Sequence, residues 1–211
     1  MVEITIFVEG GVLPHPNVNA ATINNSNRWR ESFHSLLSQS INSEKFRLIV
    51  VPGGGYTSAI KSFKSALEKG ENSLLLIDLD KQKDKRRERM KELELENEKY
   101  ADRMFFMIQE MEAWILSQPE IIEKCFKYLE RIKPEEELKN HSEIKGKNPE
   151  EIVKPSIVLK TLIDRYFREE KRGVVKKYNK LRDAADLLEL LDLSKLENTF
   201  SDVKDIVKAL S

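Results

Sequence analysis

The run Ser73-Leu-Leu-Leu-Ile-Asp-Leu-Asp80 leaves the chain few options. Four large aliphatics in a row, without polar alternation, read as a strand whose two faces are both covered, as in a sheet with helices on each side. At the end of such a strand Asp78 and Asp80 are expected on one face, about 6 to 7 Å apart along the backbone, because side chains alternate with a period of two. Two carboxylates that close repel each other unless a cation lies between them. A hard divalent ion such as Mg²⁺ meets that need with oxygen ligands and retained water. The plainer reading of the pair is a strand cap that opens the next turn.

The rest of the chain repeats the alternation that such a sheet needs. Val2 to Val8 reads as an opening strand that stops at Glu9-Gly10-Gly11, and Phe46 to Val51 as a second strand ended by Pro52-Gly-Gly-Gly55. Arg103 to Gln109 is a fourth strand that runs into Glu110-Met-Glu112. Val12 to Asn25, rich in Pro and Asn, reads as an irregular loop, after which Asn25 or Ser26 is expected to cap a helix with Trp29, Phe33, Leu36 and Leu37 inward. A second helix places Ala59, Ile60, Phe63, Ala66 and Leu67 inward. The glycines at 53–55 read first as a tight turn and second as an anion nest, since the Lys-Ser/Thr of a P-loop is missing. Gln82 to Lys99 is almost wholly charged, either a projecting helix or a mobile insertion. Cys125 reads as a small buried hydrophobe. Helices are expected from Ile157 to Phe167, Tyr178 to Leu191 and Leu196 to Leu210. The fold class is therefore α/β: a four-stranded, mainly parallel sheet flanked by helices, with right-handed crossovers and a helical C-terminal tail. Apolar periodicity lapses between Lys133 and Lys154. We therefore divide the chain into an α/β domain over 1–132, a linker over 133–153 and a helical region over 154–211.

Composition excludes several classes. No apolar run approaches the roughly 20 residues of a membrane helix, and no basic segment precedes the first apolar residues, so a cytoplasmic protein without membrane contact is expected. A single cysteine and three scattered histidines offer neither a disulfide nor a zinc-type cluster, which leaves carboxylates to hold any metal. Lys plus Arg (36) balance Asp plus Glu (36), so overall charge does not signal nucleic acid. The charges are nonetheless uneven, with seven basic residues between Lys81 and Lys91 and ten between Lys154 and Arg182. Such runs are either solvated helix faces or a basic rim for a phosphodiester beside an acidic site.

In a parallel sheet the carboxyl ends of the strands share one edge, so Glu9, Asp78 with Asp80, and Glu112 converge there although far apart in sequence. Oxygen-only ligands suit Mg²⁺ or Mn²⁺, and beside basic segments they suggest phosphoryl chemistry. Val8-Glu-Gly10 and Leu76-Ile-Asp-Leu-Asp80 resemble the Glu-Gly and Asp-x-Asp signatures of Toprim domains, found in topoisomerases, primases and the overcoming-lysogenization-defect nucleases. Phe7-Val-Glu-Gly-Gly11, Trp29-Arg-Glu-Ser-Phe33, Val51-Pro-Gly-Gly54, Met107-Ile-Gln-Glu-Met-Glu-Ala-Trp-Ile-Leu116, Asn148-Pro-Glu-Glu-Ile-Val-Lys154 and Thr199-Phe-Ser-Asp202 are similar to a family of small prokaryotic Toprim-like proteins named only as a domain of unknown function. This resemblance implies a Toprim α/β fold, Glu9 as general acid or base, Asp78 and Asp80 on Mg²⁺, and Glu112 over Glu110 as a site residue. It also implies association with an ABC-type ATPase in anti-phage defence. Many Toprim nucleases carry a second acid four residues after the first; here that position is Leu13, which argues against two metals.

The leading expectation is thus a metal-dependent nuclease acting on DNA or structured RNA. Glu9, Asp78, Asp80 and Glu112 would serve as catalytic and metal residues, and Gly10, Gly11, Arg30, Gly54, Lys154, Lys177 and Lys180 as substrate contacts. A non-catalytic Toprim-like subunit of an ATPase complex is the rival. An oligomerising scaffold is a third possibility.

Overall fold

The computed structural model describes residues 1–11, 20–169 and 173–210. Along the chain it runs β1 (Val2–Val8), α1 (Ala20–Ser38), β2 (Phe46–Pro52), α2 (Tyr56–Glu68), β3 (Ser73–Asp78), α3 (Arg86–Glu92), α4 (Glu98–Ala101), β4 (Met104–Met107), α5 (Glu112–Leu116) and α6 (Glu120–Cys125). After β5 (Glu130–Arg131) come α7 (Pro155–Tyr166), β6 (Phe167–Glu169), β7 (Val174–Val175), α8 (Lys180–Leu188), α9 (Leu193–Thr199) and α10 (Ser201–Ala209). Strands β1 to β4 form one all-parallel sheet in the order β2-β1-β3-β4.

Every residue of β3 is buried, as its unbroken apolar run requires, and alternation divides it between two cores. Leu74 and Leu76 face a layer built from α1 (Trp29, Phe33, Leu36), α5 and the tail helices, while Leu75 and Ile77 face α2 (Ile60, Phe63) and Leu95. The tail is therefore part of one sheet face. Leu138 and Ile152, from the stretch expected as a linker, are buried in that same core.

Several local expectations differ from what is observed. Helix α1 begins at Ala20, so Asn25 and Ser26 lie inside it and not at its start. The Ser26 hydroxyl donates to the Thr22 carbonyl at 3.0 Å, a bond to the preceding turn that lets a helix run through a serine. The charged stretch after Asp80 is neither a projecting helix nor a loose insertion. Short helices fold it back, with Leu95 fully buried and Met90 and Leu93 packed beside it. Leu196 to Leu210 is two helices, because buried Phe200 takes extended geometry (φ −117°, ψ 122°) between α9 and α10. A small antiparallel sheet, β5-β6-β7, was not foreseen; strands of two or three residues leave no periodicity to read. Leu13 and the start of the expected loop lie outside the described residues.

The outer edge of β4 is closed by a side chain. Asp202, in the first turn of α10 and only 4% exposed, accepts the Phe106 N–H at 2.9 Å and pairs with Arg86. An edge N–H is thereby satisfied and α10 is fixed to the sheet. Asp202→Ala should lower unfolding free energy by about 2–3 kcal/mol, because it strands both the N–H and the guanidinium. Urea unfolding should show a lower midpoint with unchanged m, and Asp202→Asn, which keeps an acceptor, should lose less.

Candidate functional site

Strand order 2-1-3-4 sends the chain from β1 to β2 on one side and, after α2, back across to β3 on the other. The carboxyl ends of β1 and β3 therefore flank a topological switch point, where open α/β sheets leave a crevice for ligands. Glu9 follows β1 there and Asp78 ends β3. The Asp78 N–H donates to Glu9 Oε2 at 3.0 Å, tying one strand end to the other.

Asp78 points toward the layer of α1 and α5. Its Oδ1 accepts the Met111 N–H at 2.8 Å and its Oδ2 receives the Lys180 ammonium at 3.5 Å. Glu112 opens α5 with no exposed surface, which would be costly for an unpartnered carboxylate. Its partners come from the tail: Lys180 Nζ at 3.2 Å and the Tyr178 hydroxyl at 3.2 Å. One lysine therefore stands between two buried acids. The cation that the acids require is supplied by the chain itself, from a residue more than a hundred positions downstream of Asp78. Lys180 is placed by the Asn179 side chain, which caps α8, and by the buried Lys176–Asp183 pair at 2.8 Å, whose members lie on either side of it in the chain.

Electrostatics follow from this placement. Burial pushes the Asp78 carboxyl well above the ordinary aspartate range; Lys180 opposes the rise, and the charges of Glu9 and Glu112 add to it. Glu9 is raised too, by burial first, with its bond from the Asp78 N–H lowering it and the Asp80 charge raising it. Burial by itself would lower the Lys180 ammonium, yet Asp78 and Glu112 raise it above the usual lysine value. Tyr178 is raised well above its ordinary range by burial and by the charge of Glu112.

Asp80 departs from the expectation that it shares a face with Asp78. It lies beyond the end of β3 with φ +56°, so strand alternation no longer governs where it points. Its half-exposed carboxylate meets Arg89 at 3.5 Å, and the Arg89 guanidinium rests over the Tyr56 ring. Glu110 is used structurally, accepting the Ser156 N–H at 2.7 Å near the start of α7.

Other expected contacts distribute unevenly. Gly10 is at the site, but its neighbour is protein: a Cβ there would fall 2.7 Å from the Trp29 ring, and its φ of +107° suits only glycine. Gly11 lies against Pro52 and Trp29. Gly54 exchanges two backbone bonds with Gly10, at 2.7 and 3.1 Å, so its N–H is not free to cradle an anion. Arg30 lies half-exposed beside Glu31, in a groove with Met1, His34 and Phe46 near the opening of β1 and β2, the end of the sheet opposite Glu9. Lys154 is exposed just before α7, and Lys177 pairs with Asp164 at 2.9 Å. In the 81–91 run, Lys81, Lys83, Arg86 and Arg89 are engaged in internal ion pairs. Burial pushes the Cys125 thiol up to about 11, in keeping with an unreactive hydrophobe. Tyr178 and Arg89 were not foreseen as site residues; the one signal for Tyr178 is that it sits two positions before Lys180 in an extended stretch.

The donor set suits a hard divalent ion in chemistry, being oxygen only. Among the described residues no three acidic, histidine or cysteine side chains close on one point. A three-acid cage is not needed, because Mg²⁺ commonly takes one or two carboxylates and fills its shell with water and substrate. Among the described residues Glu9 accepts one hydrogen bond, through Oε2, and the half-exposed Asp80 carboxylate meets the mostly buried Arg89.

Among known families, the one described as Domain of unknown function (DUF4276) matches residues 15–211, a span that includes Asp78, Asp80, Glu112 and Lys180 but not Glu9. No curated protein and no solved structure matches the chain.

The raised Asp78 pKa makes a signed prediction. A folded-state value above the ordinary 3.8 means that the native chain holds this proton more tightly than the unfolded one. Its stabilising contribution is complete below 3.8 and is lost as pH rises through the folded value. Asp78→Asn keeps an acceptor for Met111 and removes the buried charge, so in EDTA it should be more stable than the native protein at neutral pH. Urea melts across pH should show that advantage shrinking to nothing toward pH 4. A difference that stayed constant with pH would contradict this account.

Proposed function

This chain belongs to the DUF4276 family, and starting from that membership and from its switch-point acids we propose that it is a metal-dependent nuclease of the Toprim type, hydrolysing phosphodiesters of DNA or structured RNA. The observation that carries the reading is the convergence of Glu9, Asp78 and Glu112, with Lys180 among them, at the carboxyl ends of β1, β3 and β4. Asp78 and Asp80 would hold Mg²⁺ or Mn²⁺, which when bound polarises a phosphate and activates water. Glu9 would move the proton, since burial raises its pKa above the ordinary glutamate value and, among the described residues, only its Oε2 is hydrogen-bonded. Lys180 bridges Asp78 and Glu112, and at 43% exposure its ammonium can also meet a phosphate from outside. Arg89 restrains Asp80 until a ligand takes its place. The resemblance in the motifs extends the proposal to an ABC-type ATPase partner in anti-phage defence.

The rival reading, a non-catalytic subunit of such an ATPase complex, is favoured by one observation: Lys180 already neutralises the acids without a metal. The two readings part in one experiment. Nicking and degradation of plasmid, single-stranded DNA and transfer RNA would be followed with Mg²⁺ or Mn²⁺, with and without the ATPase. A nuclease should lose activity in Asp80→Ala with its fold intact, and Glu9→Gln should be about 10²–10⁴-fold slower. At tenfold excess over Kd the ion should stabilise the native protein by about 1.4 kcal/mol. That increment should vanish in Asp80→Ala and persist in larger part in Glu9→Gln. No cleavage with the ATPase and ATP present, and no metal-induced rise in Tm, would establish the rival.

A further inference from the structure

Beside the acids lies a cavity of about 100 Å³, lined by Gly10, Gly11, Asn25, Ser26, Trp29 and Lys180. It opens directly on the site, because Gly10 follows Glu9 in the chain and Lys180 bonds both Asp78 and Glu112. Its most informative feature is Trp29. The residue is 5% exposed, and its indole N–H is buried without a hydrogen-bond partner among the described residues. A buried donor left unsatisfied is costly, and an acceptor entering the cavity would return that cost. The Nε1 edge of the ring packs against Gly10, so closely that only a glycine fits there, and the cavity lies beside this contact.

Size and chemistry narrow the occupant. The volume equals about three waters, far below the roughly 300–1,000 Å³ of a pocket for a drug-sized molecule. It suits one small ring. The cavity's polar lining is the Trp29 indole N–H, the Asn25 and Ser26 side chains and the Lys180 ammonium, which two carboxylates share. The glycine backbone and the indole form walls that are mostly apolar, which match a heteroaromatic ring whose carbonyl or ring-nitrogen acceptor meets the indole N–H.

We propose that this cavity receives one nucleobase of an unpaired nucleotide, its acceptor on the Trp29 indole N–H, next to the phosphate presented to Glu9 and Asp78. The identity of the ligand rests on the nuclease reading. A base held there is out of its stack, so the site would select single-stranded or extruded nucleotides over a continuous duplex. Pyrimidines should bind better than purines, since one ring fills the space.

The test uses the full chain labelled with ¹⁵N. The chain has two tryptophans, so its spectrum holds two indole N–H resonances, one of which Trp29→Phe identifies. Titration with uridine and with uridine 5′-monophosphate should move the Trp29 indole resonance in a saturable manner at millimolar concentration and leave that of Trp114 in place. Inorganic phosphate should not move it. Asn25→Phe, which puts a ring in the mouth of the cavity without altering the core, should abolish the shift while Tm is preserved. By calorimetry Trp29→Phe should bind uridine 5′-monophosphate about tenfold more weakly. No indole shift, or an equal shift with phosphate alone, would overturn the proposal. The two readings fail separately: a protein that binds uridine but cuts nothing keeps the cavity and loses the nuclease, and one that cuts without the indole shift does the reverse.

Discussion

The Lys180 ammonium between Asp78 and Glu112 is the interaction on which this site depends. Glu112 is wholly buried and Asp78 nearly so. Without a cation between them, one would have to take up a proton or α5 would have to move outward. The lysine comes from the helical tail, so the site exists only when the tail is docked on the sheet. Residues far apart in the chain are thereby made interdependent by charge as well as by apolar packing, and the α1–α8 face of the core serves to deliver one ammonium group to a strand end. Buried ion pairs of this kind are seldom the most stable solution, because apolar residues of similar size avoid the desolvation. Their retention at a switch-point crevice is what gives the site its functional reading.

The same lysine revises the argument that began from the aspartates. Repulsion between close carboxylates does demand a cation, and the demand is met from within the chain. The divalent ion of the proposal would join a site that is already partly neutralised, sharing Asp78 with Lys180 and taking Asp80, which Lys180 does not pair. Asp80 is suited to this because its carboxylate is half-exposed: it lies outside the strand at positive φ, its N–H tied to the Gln109 carbonyl and its side chain beside Arg89.

How much was legible in the sequence follows from the length of each signal. The unbroken aliphatic run of β3 and the alternating inward positions of α2 were readable because burial imposes them over many residues. Glu9 and Asp78 were readable as site residues because a parallel sheet brings its carboxyl ends to one edge. Asp80 was misplaced because one residue at positive φ cancels strand alternation, and nothing in Asp-Leu-Asp announces that angle. The α9–α10 break at Phe200 was hidden because a buried aromatic fits a helix pattern as well as it fits a hinge. Tyr178 and the pairing role of Lys180 were hidden because a contact across more than sixty residues leaves no local pattern. Lys180 was singled out only as one cation in a basic run.

Glu-Gly-Gly shows how one pattern can carry two physical reasons. As sequence, a strand ending in an acid and two glycines suggests backbone bared for a phosphate. In the fold, Gly10 is required by Trp29, whose ring would collide with any Cβ there, while Gly53 is required by Ala59, 2.4 Å from where its Cβ would stand. The glycines thus bring α1 and α2 close to the sheet at the point where β1 ends. That closeness presses the Trp29 indole against the strand end with its N–H unpartnered, beside the carboxylate that the same motif contributes. A requirement of packing has thus placed a donor that is unsatisfied among the described residues next to the charged group at the switch point, because only glycines let α1 come that close to the strand end.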